Sequence, residues 1–424
     1  MKQLEWLVLI IVFISPSLFA QKIIGNWEGH IDVNSTELPI VFHFNKSNEG
    51  KTEGKWDSPK QNAHNLPFSS SSADDDSIHL GVSLVSGSYE GKFVGNDSIV
   101  GMWTQNEHKI TLNFSRTNGD ADTKINLGVV YPGEKEISIT SAAGAQLYGT
   151  LLSKNNRQKL AIIIAGSGPT DRNANSTISR ATNEYQMLAY SLDSENIATF
   201  RYDKRGIAKS AFEGMKEGDL VFDDYVKDAE KIFDYLHDTL GFKDIYFIGH
   251  SEGSLVAMLV SEKSRVSGYI SVAGAGRPID VILNEQMQKA PLLDSVKQQI
   301  PVIFNQLKKG KEVDGIPSSL TMLFRKSIQP YMISWLKYSP QKEIKKLNCP
   351  ILILQGGCDI QVQEVDAKNL HEANKKSTLD IIPTMSHTLK NAGKDCVDEN
   401  KTYTDGAMSL DKTLVKDIVK FIRK

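Results

Sequence analysis

Apolar and polar positions follow two different rhythms along this chain. Between Gln21 and about Arg116 they alternate over short runs, as in Pro39-Ile40-Val41-Phe42-His43-Phe44 and Ile110-Thr111-Leu112-Asn113-Phe114. Gly, Asn, Asp and Ser clusters separate these runs. Period-two alternation bounded by turn residues predicts β-strands with one buried face, and no helical period interrupts it. Gly-aromatic signatures recur at Gly25-Asn26-Trp27-Glu28-Gly29, Gly87-Ser88-Tyr89-Glu90-Gly91 and Gly101-Met102-Trp103-Thr104-Gln105. Such regularity predicts an antiparallel meander or small barrel. Trp27, Tyr89 and Trp103 could bind a ligand, but large aromatics in such a module are expected to fill its interior or to pack on a second domain.

From Glu134 the rhythm changes to apolar runs alternating with helical periods. Strands are predicted near Ile137–Thr140, Gln146–Leu152, Leu160–Ala165, Ala198–Tyr202, Ile245–Ile248, Tyr269–Val272, Ile351–Leu354 and Leu379–Ile382. Helices are predicted near Glu184–Asp193, Val221–Leu240, Glu252–Ser261, Gln363–Ala373 and Asp411–Ile422. This alternation implies a largely parallel sheet covered by helices on both faces, with functional groups at the carboxyl ends of the strands. Between Gly276 and Asn348 it pauses. Helical stretches around Val281–Lys289, Asp294–Lys308, Leu320–Lys326 and Tyr331–Lys337 fit a cap inserted above the strand ends. Met287, Phe304, Met322, Phe324, Tyr331 and Trp335 could line a pocket there, but are expected mostly to form the cap's own core.

The N-terminus adds a further segment. Lys2, an apolar run from Leu7 to Phe13 and Ser15-Pro16-Ser17-Leu18-Phe19-Ala20 describe a signal peptide cleaved after Ala20. The run falls short of the ~20 apolar residues that span a bilayer. The expected organisation is therefore a leader over 1–20, an antiparallel β-domain over 21–117, a linker over 118–133 and an α/β domain over 134–424 with its cap at about 276–348. The mature protein is expected to be exported, periplasmic or secreted, with no stable membrane insertion. With 49 basic and 51 acidic residues and no long block of one sign, nucleic acid is not expected as a partner. Cys349, Cys358 and Cys396 have no zinc spacing and allow at most one internal disulfide. Cys358 with Cys396 is the pair to test, because both flank the presumed site, although three unpaired thiols are the expectation.

The chemistry centres on Gly249-His250-Ser251-Glu252-Gly253, between an apolar run and a helical one. A strand that reverses into a helix so tightly needs glycines where side chains would collide, and the bend lifts the serine hydroxyl clear of its backbone. In a chain with 31 glycines the pentapeptide alone is a weak signal. A base and an acid downstream give it weight. Only His371 and His387 come after Ser251. His371 sits within a predicted helix, whereas His387 succeeds the last predicted strand, where a general base must stand to reach a serine on the same rim. The run Ile351 to Leu354 leads through Gln355-Gly356-Gly357-Cys358 to Asp359, the candidate acid, with Asp366 in the next helix as the alternative. The loop Gly166-Ser167-Gly168-Pro169-Thr170-Asp171-Arg172 comes after another strand and lacks the ending of a P-loop. The backbone N–H groups of Ser167 and Glu252 are the candidate oxyanion hole. Asp171, Arg172 and Glu252 are expected to form loop-fixing ion pairs. No metal or cofactor is implied.

Gly-Ser-Gly-Pro at 166–169, Gly-His-Ser-Glu-Gly at 249–253, Asp359-Ile360-Gln361-Val362 and Ser386-His387 resemble the serine-aminopeptidase-like branch of the α/β-hydrolases. That resemblance covers the chain from about Glu134 to its end and implies an α/β-hydrolase fold with a helical cap. The N-terminal module resembles a lipocalin-like β-domain, and with Trp56-Asp57-Ser58-Pro59 it resembles the domain attached to some exported bacterial esterases of the branch. The resemblance implies carboxylic ester hydrolysis, with short-acyl esters expected, on a small-molecule substrate by a Ser251, His387, Asp359 acyl-enzyme mechanism. Tyr202-Asp203-Lys204-Arg205-Gly206-Ile207-Ala208-Lys209-Ser210 is similar to a loop of the branch, with Ala208 in place of its second glycine. Asp203 and Arg205 read as scaffold there. Two rival readings stand beside ester hydrolysis. One is an exopeptidase of the same fold, which needs an acid such as Glu285, Asp294 or Glu312 to hold a substrate amine. The other is a non-catalytic carbohydrate- or lipid-binding protein.

Overall fold

The computed structural model describes residues 22–424 apart from 34–35, 47–51, 59–62, 75, 83–86, 106–107, 118–130, 142–143, 155–157, 177–181, 213 and 407. The expected leader and the polar stretch after Asn118 lie outside the described residues. The chain divides into two compact units, Met1–Lys124 and Ile125–Lys424. Among the described residues no helix is long and apolar enough to cross a membrane.

The first unit is a single ten-stranded sheet, antiparallel throughout. Its strands are β1 (Gly25–Val33), β2 (Thr36–Lys46), β3 (Thr52–Ser58), β4 (Ala63–Pro67), β5 (Ser70–Ala73), β6 (Ser77–Val82), β7 (Gly87–Val94), β8 (Ser98–Gln105), β9 (His108–Thr111) and β10 (Phe114–Thr117). They pair in the order β4-β3-β2-β1-β10-β8-β7-β6-β5, with β9 on β8. Phe42 on β2 and Tyr89 on β7 lie four strands apart in that order, which in a flat sheet is about 19 Å. Their ring centroids are 5.5 Å apart. Trp56 on β3 and Trp103 on β8 likewise meet at 6.4 Å. The sheet is therefore rolled around its own core, and only Phe68 and Ser69 join its two end strands, β4 and β5. Trp27, Tyr89 and Trp103 are buried inside this roll. The Trp27 indole N–H donates to the Ile23 carbonyl and the Tyr89 hydroxyl to the Leu112 carbonyl. These rings fill the module, and those two polar tips are satisfied within it.

The second unit is an eight-stranded sheet of β11 (Glu134–Thr140), β12 (Gln146–Leu152), β13 (Lys159–Ile164), β14 (Ala198–Tyr202), β15 (Asp244–His250), β16 (Gly268–Val272), β17 (Ile351–Gly356) and β18 (Thr378–Ile382). The order is β11-β12-β14-β13-β15-β16-β17-β18. β11 and β12 form an antiparallel pair, β12 is antiparallel to β14, and every pairing from β14 to β18 is parallel. The central strands β13, β15, β16 and β17 read as apolar runs because both faces are covered. Apolar side chains form one cluster on either side. This is an α/β-hydrolase fold preceded by an all-β module.

Three helices set the site. α1 (Glu184–Ser194) links β13 to β14, and α2 (Phe222–Asp234) lies between β14 and β15. α2 buries Phe222, Tyr225, Val226, Ala229, Ile232 and Phe233, the stripe that a 3.6-residue period places on one face. It ends at Asp234, where a π-turn over Tyr235–Thr239 replaces the longer helix expected to Leu240. α3 (Glu252–Ser261) is buried along its whole length. The chain order reverses about β13, which places the crevice at the carboxyl ends of β13 and β15.

The insertion after β16 carries helices at Ile279–Lys289, Gln299–Lys308 and Gln329–Trp335. Met287, Phe304, Phe324, Tyr331 and Trp335 are buried and Met322 is exposed, but Tyr331 and Trp335 pack on Phe222 of α2, so the buried residues join the core of the sheet domain rather than forming a separate core of the cap. Asp366 holds the entrance to this insertion. It accepts from the Gly276 and Arg277 amides at 3.1 and 3.0 Å and pairs with the Arg277 guanidinium at 2.8 Å.

Candidate active site

Ser251 sits at the turn from β15 into α3 with φ 53° and ψ −120°. A non-glycine residue adopts that backbone only where its surroundings enforce it. They do so here through two glycines. A Cβ at Gly249 would lie 2.3 Å from the Gly253 carbonyl oxygen, and one at Gly253 would lie 2.3 Å from the Ile164 carbonyl oxygen. The turn therefore packs directly on the end of β13. The Ser251 hydroxyl is half-exposed and has no hydrogen-bond partner among the described residues.

Asp359 and His387 meet at the ends of the neighbouring strands β17 and β18. The His387 Nδ1 lies 2.8 Å from Asp359 Oδ2. The Asp359 side chain is fully buried. Its Oδ1 accepts from the Gln361 and Val362 amides at 2.8 and 2.9 Å, and its Oδ2 from the Gln355 side chain at 3.1 Å. Burial pushes its carboxyl up, but the His387 ring and these donors outweigh burial and hold it below the ordinary carboxylate value. The structure brings Asp359 and His387 into contact; no hydrogen bond joins Ser251 to His387 among the described residues. Asp366 is engaged by Arg277, and His371 makes a local contact of 2.9 Å with Ser377 Oγ. A disulfide between Cys358 and Cys396 corrects the expectation of three unpaired thiols, and Cys349 alone is free. It ties the acid-bearing loop to the segment beyond His387.

The two expected oxyanion donors belong to the two segments that meet at the serine. Ser167 is exposed at the end of β13, and its amide has no partner among the described residues. Glu252 begins α3, so its N–H is one of the helix's unpaired first amides. A Cβ on Gly166 would lie 3.2 Å from the Ser251 Cβ, which brings the two loops edge to edge. Their side chains are scaffold. The Arg172 guanidinium pairs with Asp203 at 2.6 Å, and Arg205 pairs bidentately with Asp228 at 2.6 and 2.9 Å. Glu252 lies 3.3 Å from the ammonium of Lys204. Asp171 departs from expectation: its carboxylate caps a turn through the Asn173 and Asn175 amides, both at 2.8 Å, and makes no ion pair among the described residues.

Four buried residues near the serine, His250, Tyr185, Glu184 and Lys204, are given no role by the sequence. His250, adjacent to Ser251, has Nε2 at 2.8 Å from the His387 carbonyl oxygen and Nδ1 at 2.7 Å from the Tyr185 hydroxyl. Burial, with the nearby His387 ring, pushes its pKa down to about 3, so the imidazole is neutral. A carbonyl only accepts, so Nε2 carries the proton and Nδ1 accepts from Tyr185. The Tyr185 oxygen in turn accepts from the Gly166 amide at 3.0 Å. This relay runs from the Ser167 loop through the serine turn to the base. Glu184, beside Tyr185, is buried and its carboxyl is pushed up to about 7 by desolvation. Lys204 is buried, with its ammonium 2.5 Å from the Gly166 carbonyl oxygen.

Known proteins are similar to parts of this chain. A match to the family described as serine aminopeptidase, S33, spans residues 178–329, which include Ser251 and Glu252 but end before Asp359 and His387. Esterase EstD of Thermotoga maritima is 24% identical over 233 residues, 55% of this chain and 53% of that protein. The chain thus spans about half the length of this curated relative. Among solved structures, Est1E of Butyrivibrio proteoclasticus, with ferulic acid bound, aligns at 22% identity over 68% of this chain and 100% of that one, with a TM-score of 0.46. The esterase Pf2001 of Pyrococcus furiosus aligns at 15% identity over 68% and 92%, with a TM-score of 0.45.

Proposed function

We propose that this chain is an exported serine esterase that cleaves carboxylic esters with short acyl groups. The observation that carries the reading is a serine held at positive φ beside two unpartnered amides, on the same strand-end rim as an aspartate-bound histidine. In the reaction His387 takes the Ser251 proton as Oγ attacks the ester carbonyl, and the oxyanion rests on the Ser167 and Glu252 amides. Each such donor is worth about 3 kcal/mol in the transition state. His387 then protonates the departing alcohol and activates the water that releases the acid, while Asp359 holds the ring and stabilises its charged form. Nucleophile–base bonds of this kind are often long without substrate and tighten in its complex, so these roles do not require a Ser251–His387 hydrogen bond in the free protein. Similarity to Esterase EstD supports ester chemistry.

The short-acyl preference is supported by the burial of Met287, Phe304, Phe324, Tyr331 and Trp335 of the insertion, which packing takes up rather than leaving to line a channel. Export is supported by the leader pattern and by the disulfide, a bond favoured in oxidising compartments. The exopeptidase reading is weakened because Glu285 is paired with Arg277 and Glu312 with Lys326, while Asp294 is exposed. The binding-protein reading is weakened because the rolled sheet is filled by its own rings.

The test uses protein beginning at Gln21, assayed with p-nitrophenyl esters from acetate to octanoate beside amino-acid anilides, with Ser251→Ala as control. Turnover of the shorter esters that vanishes in the variant is expected. Anilide cleavage would replace the esterase reading with the peptidase one, and turnover rising with chain length would overturn the short-acyl preference.

A further inference from the structure

Lys204 is a buried lysine whose two oxygen contacts both belong to the presumed oxyanion hole. Its ammonium donates to the Gly166 carbonyl at 2.5 Å and faces Glu252 Oε1 at 3.3 Å. It also stands 4.9 Å from the centre of the Tyr225 ring on α2, which leaves it little room to turn elsewhere. The Gly166 carbonyl and the Ser167 amide are the two ends of one planar peptide, and in a trans peptide they point in opposite directions. A cation that fixes the oxygen therefore fixes the direction of the N–H. It also draws electron density toward the oxygen and makes the N–H a stronger donor. The pairing with Glu252 acts on the residue that supplies the other amide. We propose that Lys204 is a positioning residue for the oxyanion hole, orienting and polarising the Gly166–Ser167 peptide while tethering the start of α3. The inference rests on the reading of Ser167 and Glu252 as oxyanion donors.

A lysine serving only to neutralise Glu252 would have a different signature. Its loss would matter for stability, and removal of the Glu252 charge would repair it. A positioning lysine matters when the substrate oxygen becomes negative, so its loss lowers kcat and spares ground-state binding.

The experiment compares wild type, Lys204→Met and Lys204→Met/Glu252→Gln. Three quantities are read: kcat and KM on p-nitrophenyl butyrate, inhibition by butyrate, and inhibition by a trifluoromethyl ketone. Ser251 Oγ adds to the ketone's carbonyl carbon as its proton passes to His387, and the C=O π pair moves onto the ketone oxygen, which rests as an anion in the hole. Lys204→Met is expected to lose about 10- to 100-fold in kcat, less than the 10²- to 10³-fold typical of a deleted donor because the amide remains. The ketone should weaken by a similar factor, with KM and butyrate inhibition within about threefold of wild type. The double variant is expected to regain thermal stability and not kcat. Unchanged kcat and ketone affinity in Lys204→Met would overturn the inference, as would equal weakening of ketone and butyrate, or recovery of kcat in the double variant. Absence of ester turnover by wild type would instead remove the reading of the site, and this inference with it.

Discussion

His250 donates its Nε2 proton to the backbone carbonyl of His387, so the residue preceding the candidate nucleophile holds the main chain of the candidate base. The ring is neutral, and its other nitrogen accepts from Tyr185. Protonation of His250 would turn that acceptor into a donor facing a hydroxyl that already accepts from Gly166.

Stability should therefore depend on pH. The folded His250 value of about 3 lies below the unfolded value near 6.5, so its stabilising contribution is complete above 6.5 and is lost as pH falls toward 3. Glu184 has the opposite sign: its folded value of about 7 exceeds the unfolded 4.5, so its contribution is present below 4.5 and is lost as pH rises through 7. The His250 slope is therefore isolated as a difference between variants. Between pH 6 and 4, His250→Gln is expected to lose less unfolding free energy than wild type, by about 1.4 kcal/mol per pH unit. Urea unfolding at each pH measures it, and parallel slopes for the two proteins would refute the assignment.

Asp359 and Asp366, the two acids that the sequence offers as partners for His387, separate by experiment. Asp359→Asn is expected to lower kcat on the order of 10⁴-fold with the fold retained, because the imidazole loses its orienting acceptor. Asp366→Ala leaves Arg277 without its buried partner and is expected to cost about 3–5 kcal/mol of stability. Its folded fraction should retain most of its kcat. A comparable loss of activity from folded Asp366→Ala would make it more than an anchor.

Thiol counting tests the bridge. Unfolded protein is expected to yield one reactive thiol before reduction, from Cys349, and three afterwards. In the native state Cys349 should react slowly, since burial pushes its pKa up to about 11. Cys358→Ala/Cys396→Ala is expected to lose about 2–4 kcal/mol in urea unfolding. Three thiols before reduction would contradict the bridge.

Period and punctuation carried most of the fold's legibility. All eight strands of the larger sheet overlap the predicted ones, and the central β13, β15, β16 and β17 were the plainest, because a strand covered on both faces is apolar nearly throughout. Gly249 and Gly253 marked the serine turn because only glycine tolerates the oxygens packed against them. Tertiary effects were not legible. Lys204 stands in a loop the sequence singled out, but its contacts with Gly166 and Glu252 come only with the fold. The Tyr185 and His250 relay joins residues 65 apart. The π-turn at Tyr235 has no residue signature of its own. Ala208, which stands where the resembled loop has its second glycine, has a positive φ of 45°, a backbone that costs a non-glycine residue some strain.

The rolled sheet has a consequence for how the chain behaves in company. Unpaired sheet rims are where another molecule can add a strand. Here the rim strands β4, β5 and β9 have five, four and four residues. β4 ends in Pro67, which has no N–H to offer, and β5 is the exposed run Ser70-Ser71-Ser72-Ala73, with little apolar surface to reward an incoming strand. A ten-stranded antiparallel sheet with long apolar rims would be a template for fibrillar growth. With rims this short and polar, the module should resist aggregation.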